Sequence, residues 1–251
     1  MSRAPRAPRA PRRLAVAAVA LSVAGVTACG SDGTDKEVAA GDPSDAYRVI
    51  ADMHEASTNE VQPHNLAEAL PNRQVTVSVE GSADVVDSFT DVVVTGPITS
   101  VTPDEGIYHP DASATTAGDT DAQAQVVGFD NPDAQECVAL VTMQVDWSAG
   151  EKVGSTLQFR IGVPVDTDAN KFLAGVRGID DAVVLLTRFP DGRYKGDYYP
   201  ILDFAGLGSV GDDGSLAFDA LGDAESTFLG EVNTLDELEA EASKPETKVR
   251  Y

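Results

Sequence analysis

CVALVTMQVDW at residues 137–147, TLQFRIGVPV at 156–165 and AVVLLTRF at 182–189 decide the fold. These short runs, rich in aliphatic and β-branched residues and set between polar segments, read as strands. Toward the N-terminus, Val75, Val77 and Val79 alternate with Thr76 and Ser78, the pattern of a half-buried strand. Residues 91–101 form a further strand through Val92, Val93, Val94, Ile98 and Val101, bent at Gly96 and Pro97 because proline cannot donate to a central ladder. Between these two, residues 82–88 are expected to make a helical turn capped by Ser82. Residues 103–135, with Pro103, Pro110, Pro132 and a Thr/Ala/Asp tract, read as a long loop with at most one short strand near 126–129.

Beyond the third run, Asp191 and Gly192 signal a turn, and Tyr194, Tyr198, Ile201 and Phe204 suggest another strand. Residues 207–210 and 215–218 flank Asp212, Asp213 and Gly214 as a hairpin. Helices are few. One spans 46–56 with Tyr47, Val49, Ile50 and Met53 at helical spacing, a turn covers 65–70, and Thr234 with Glu237 opens a C-terminal helix with a capping box. This element order predicts a mainly β fold, a small antiparallel barrel with a few short helices and a C-terminal helix. Residues 82–101, followed by 138–147, 157–163 and 183–187, resemble uncharacterised secreted bacterial domains whose barrel is similar to the oligonucleotide/oligosaccharide-binding (OB) fold. That resemblance implies an OB-like barrel and no catalytic residue.

The N-terminus has a different character. Arg3, Arg6, Arg9, Arg12 and Arg13 precede an apolar run over residues 14–26, the charged and apolar regions of a secretory signal peptide. That run is short of the roughly 20 residues a bilayer-spanning helix needs. Val26, Thr27, Ala28 and Cys29 then resemble the lipobox of bacterial lipoprotein precursors. The resemblance implies cleavage between Ala28 and Cys29, a diacylglycerol on the Cys29 thiol, and residence on the extracytoplasmic face of the cell membrane. The alternatives are an ordinary secretory signal and, from Arg12 and Arg13, a twin-arginine signal that the following Leu14, Ala15 and Val16 match poorly. Residues 1–28 are thus a removed signal peptide, 29–45 a lipidated tether of Gly, Ser, Asp, Thr and Pro, 46–243 a single β-rich domain and 244–251 a tail.

Charge and cysteine usage narrow the partners. The whole chain carries −23, and loss of the signal peptide leaves 13 basic residues against 41 acidic ones, or −28. Such a surface repels phosphate backbones, which removes nucleic acid from the candidate partners and leaves cations open. With Cys29 lipidated, Cys137 has no intramolecular disulfide partner, and its aliphatic surroundings read as a buried thiol.

Motifs that carry chemistry are incomplete. Gly206, Gly208 and Gly211 spell G-x-G-x-x-G, but Asp212, Asp213 and Gly214 follow where a phosphate-binding helix should open. Asp166, Asp168 and Asn170 match the start of an EF-hand loop that has Lys171 and Arg177 where glycine and glutamate are required, leaving a looser carboxylate site or a polar turn. His54, His64 and His109 lack zinc-ligand spacing. Ser209 follows Gly208, yet Leu207 stands where a nucleophile elbow needs glycine. No metal or cofactor site is assigned. Trp147, Tyr194, Tyr198 and Tyr199 are the aromatic residues best suited to a ligand surface, although aromatic residues at strand ends are more often ordinary barrel core. Arg188, Arg193 and Lys195 surround them, to bind an acidic group or pair with local carboxylates. The expected function is a non-enzymatic binding or interaction module at the cell envelope. The alternatives are a secreted hydrolase with a convergent carboxylate or serine site and an envelope assembly factor.

Overall fold

The computed structural model describes residues 37–57, 62–79, 82–86, 88–108, 125–164, 166–190 and 192–250; the signal peptide, Ala28, Cys29 and His109 lie outside them. The described residues begin inside the stretch assigned to the tether. Val38 N–H donates to Val101 O at 3.1 Å and Gly41 N–H to Ala174 O at 2.7 Å. Helix α1 (Pro43–Ala56) follows, its first turn preset by Pro43 and capped by Asp42, which accepts from Ser44 N–H at 3.0 Å. Ala46, Tyr47, Val49 and Ile50 form its buried face. Helix α2 (Leu66–Ala69) is one turn capped by Asn65.

The strands fall into three sheets, none closed on itself among the described residues, so the OB-like barrel is not found. The coarser expectation holds: the fold is mainly sheet, with antiparallel pairing dominant and a few helices. A three-stranded sheet joins β1 (Arg73–Val79) to β2 (Ser82–Val86) antiparallel and to β13 (Thr247–Arg250) parallel. In place of the helical turn expected at 82–88, residues 82–86 are therefore a strand, because their backbone finds the complementary ladder of β1. Residues 247–250, assigned to the tail, pair with β1 too.

The second sheet is central. It runs β12-β11-β9-β3-β7, built from β3 (Val92–Gly96), β7 (Trp147–Gly150), β9 (Ala182–Arg188), β11 (Leu207–Val210) and β12 (Leu216–Ala217). Strand β10 (Tyr198–Pro200) also pairs with β9, at its far end. All of β3 and Ala182–Leu186 of β9 are buried, the continuous burial of strands covered on both faces. The third sheet runs β5-β4-β6-β8: β4 (Ile98–Tyr108), β5 (Gln125–Gly128), β6 (Glu136–Gln144) and β8 (Thr156–Val163). Here β8 alternates, with Leu157, Phe159, Ile161 and Val163 turned inward. Strand β4 reaches further into the expected loop than the composition suggests, and it tolerates Pro103 beside a register shift in its pairing with β6.

Two neighbouring crossings couple these larger sheets. The chain leaves β3 for β4 at Gly96 and Pro97, and leaves β6 for β7 at Val145 and Asp146. Gln144 N–H donates to Pro97 O at 3.0 Å and Asp146 N–H to Thr95 O at 2.8 Å, so the ribbon stays bonded through the bend. Gly96 is required there: its φ is 145°, and a Cβ would stand 2.2 Å from Gln144 O.

Helix α3 (Ala169–Arg177) occupies the segment that matched an EF-hand start. Asp168 caps it, accepting from Lys171 N–H at 3.1 Å, while Phe172, Leu173 and Val176 are buried. It lies close against α1, where a Cβ on Gly175 would come within 2.7 Å of Ala46 N. Past β12 come a 3-10 turn (Asp219–Ala224), α4 (Glu225–Leu229) and α5 (Leu235–Ala242). The capping box of α5 forms in full: Thr234 Oγ1 accepts from Glu237 N–H, and Glu237 Oε2 accepts from Thr234 N–H.

Candidate functional site

Strand β9 organises the polar chemistry, with one set of groups at each end. At its C-terminal end Arg188 Nε and Nη2 both donate to Glu151 Oε2, at 3.0 and 2.6 Å; Nη2 also donates to Tyr198 Oη at 2.7 Å and Nη1 to Gly196 O at 2.5 Å. Four of the five N–H donors of a guanidinium are thereby occupied. Tyr198 Oη donates in turn to Glu151 Oε2 at 2.5 Å, and the guanidinium lies 4.2 Å from the Tyr198 ring centroid. Asp91 Oδ2 accepts from Arg188 N–H at 2.7 Å and from Thr187 Oγ1 at 3.1 Å.

A second clasp continues from this one. The turn between β9 and β10 folds over the third sheet, where Arg160 of β8 pairs with Asp197 at 2.7 Å and with Asp104, and lies 4.4 Å from the Tyr194 ring centroid. Arg193 meets Glu105 of β4 through two bonds of 2.9 Å. Phe189 stacks on Tyr199 with centroids 4.1 Å apart. The Tyr194 hydroxyl is buried beside Glu105 without reaching a well-formed hydrogen bond.

These environments move proton affinities in consistent directions. Hydrogen bonds from Arg188 and then Tyr198 hold Glu151 below the usual carboxylate range. Burial works to raise Glu105, but the two bonds from Arg193 and the nearby Tyr194 hydroxyl outweigh it and the net shift is downward. Tyr198 is pushed up to about 12, first by burial and then by Glu151. The assembly therefore keeps its acids charged and its phenols neutral, as a structural clasp does.

The tyrosines of the expected ligand surface come together here, and their arginines are committed to local carboxylates. Trp147 does not join them. It opens β7 opposite Thr95, which pairs on its other side with Val183 near the start of β9, so roughly 15 Å of strand separates it from Tyr198. There it lines a cleft enclosing about 50 Å³ with Thr95, Gly96, Asp146, Asp181, Leu235 and Glu239. Asp146 comes from the β6–β7 crossing, Asp181 from the turn before β9, and Glu239 from α5 one turn after Leu235. Val210 N–H donates to Asp181 O at 2.8 Å, tying the end of β11 to the same rim. Sequence reading missed this group because its carboxylates come from separate segments, with no motif spacing to link them.

The remaining motif residues are structural. Gly206 closes a loop, Gly208 lies within β11 and Gly211 follows it, so the G-x-G-x-x-G spacing spans a strand and its turn. Ser209 lies in β11 rather than at a strand-to-helix elbow. His64 pairs with Glu68 at 3.2 Å, and His54 Nδ1 lies 3.1 Å from Leu202 O. That carbonyl belongs to a left-handed turn in which Leu202, Asp203 and Phe204 have φ of 58°, 49° and 74°, filling the gap between β10 and β11 along β9. Among the described residues no cluster of three or more His, Cys, Asp or Glu side chains is arranged to hold a metal ion. No protein family, curated protein or solved structure gives a significant match to the chain.

Proposed function

We propose that this chain is a lipid-anchored, extracytoplasmic binding module of a bacterial cell envelope, without catalytic activity. The observation that carries this reading is Val26, Thr27, Ala28 and Cys29 directly after a charged start and a short apolar run. The placement of Val38 supports it. Val38, whose N–H is bonded to Val101 O, lies nine positions after Cys29, a separation that a fully extended chain would span in roughly 30 Å. No described helix is long and apolar enough to cross a membrane, and two or three acyl chains on Cys29 would anchor the chain stably.

An assembly surface calls for an exposed apolar patch, whereas Val126 is the exposed large apolar side chain among the described residues. A convergent carboxylate hydrolase is the second reading, favoured by Asp146, Asp181 and Glu239 on one cleft. Turnover of an ester or glycoside substrate that disappears in Glu239→Gln would replace the binding reading with that one. The anchor is tested by mass spectrometry of the protein extracted from envelopes: the mature chain should begin at an acylated Cys29, and Cys29→Ser should accumulate unacylated precursor. Normal acylation in that variant would overturn the reading.

A further inference from the structure

The Trp147 cleft brings three carboxylates to one small depression beside an aromatic ring. Among the described residues its three carboxylates, Asp146, Asp181 and Glu239, take part in no ion pair, Asp146 Oδ1 accepting a long bond of 3.4 Å from Gln144 Nε2, whereas Arg160, Arg188 and Arg193 are paired in the clasps, Arg73 and Lys244 on Glu241 and Lys171 on Asp45. Glu239 carries a second signal. Its Oε1 is shut off from solvent and has no hydrogen-bond partner, which leaves that oxygen unanswered within the chain. The third signal is Trp147 itself, since an indole face is the strongest aromatic attractor of a cation. The partly open cleft, of about 50 Å³, exceeds the roughly 10–15 Å³ that one water needs on the same measure and suits a single small head group.

We propose that this cleft seats an alkylammonium group, the end of a lysine side chain or of a free amine, between Trp147 and the carboxylates of Asp146, Asp181 and Glu239. The proposal rests on the binding-module reading and names the chemistry it recognises. Attraction to the indole and the carboxylates, not depth of burial, supplies the affinity. The acylated form of the same amine should therefore be refused.

Trp147 is the single tryptophan of the chain, so its fluorescence reports on the cleft without labelling. The mature domain is titrated with n-butylammonium chloride, with a lysine-containing tripeptide capped at both ends, and with the same tripeptide acetylated on the lysine, each against sodium chloride of equal ionic strength. The expected result is a saturating change with butylammonium, the lysine peptide or both, and none with the acetylated peptide or the salt. Butylammonium alone would identify a free amine as the source; a tighter peptide would identify a protein lysine. Glu239→Gln and Asp181→Asn should each weaken the response about ten-fold, as loss of a charged partner does. Asp181 is exposed, so Asp181→Asn keeps the test valid if Glu239→Gln fails to fold. A response that salt or the acetylated peptide reproduces, or that both variants leave unchanged, overturns the proposal. Acylation of Cys29 is read independently, so a cleft that ignores amines leaves the anchor standing, and a missing lipid leaves the amine site standing.

Discussion

The two ends of β9 hold similar residues in opposite states. At the Arg188 end, Glu151, Glu105, Asp104 and Asp197 all meet guanidinium groups, and aromatic rings lie over the cations. At the Ala182 end, Asp146, Asp181 and Glu239 line a cleft with Trp147, and among the described residues none of the three is in an ion pair. Aromatic content alone does not separate a ligand surface from a clasp. The separating property is whether the charges are already answered inside the chain, and on that test the tyrosine cluster closes while the tryptophan cleft stays open.

The most disruptive way to break the contrast is to remove the strand that both ends share. Leu185→Ala, at a fully buried position of β9, should cost about 2–5 kcal/mol and weaken clasp and cleft together, read as a lower urea midpoint. Arg160→Ala should act on the clasp alone. It takes a two-carboxylate partner from beneath Tyr194, at a cost of about 1–3 kcal/mol, and should speed hydrogen exchange over residues 189–197 without moving Trp147 fluorescence.

Proton uptake and release sharpen the same contrast. The folded state holds Tyr198 protonated to about pH 12, against 10 for the free phenol, so the stability this contributes is intact below pH 10 and lost as pH rises toward 12. Tyr198→Phe should flatten the alkaline limb of a stability-against-pH curve. Glu151 and Glu105 have the opposite sign: their lowered values contribute stability above about 4.5 that is lost as pH falls below it. The smallest effect is the most discriminating. Glu151→Gln should destabilise by about 1 kcal/mol, whereas Asp181→Asn should stay within about 0.5 kcal/mol of the parent or stabilise it slightly, since it relieves repulsion and breaks no pair. Equal losses in the two variants would erase the distinction.

The strands with strong local patterns were legible. Residues 137–147, 156–165 and 182–189 needed only β-branched composition, and Thr234 with Glu237 located α5 from its cap. Helix α3 was hidden because Asp166 and Asp168 invited a metal-loop reading, although Phe172, Leu173 and Val176 were already at helical spacing. Strand β2 depends on its partner β1 rather than on its own residues. Closure was beyond reach for a similar reason: a barrel and three separate sheets can share one strand pattern, and the crossings at Gly96 and at Val145 with Asp146 decide between them. Within the candidate site, Trp147 was found as a residue and misplaced in company, because no spacing ties it to Asp181 or Glu239.

The pairing of β1 with β13 imposes an order in time. Arg73, 6% exposed, meets Glu241 at 2.5 Å, and residues 247–250 supply the parallel neighbour of β1. A chain delivered from its N-terminal side brings Arg73 forward long before either partner arrives, and a guanidinium buried alone costs several kcal/mol. Deleting residues 241–250 should accordingly leave β1 amides exchanging freely while β9 stays protected. The segment around β1 is kept from settling early, so this sheet is the last to lock.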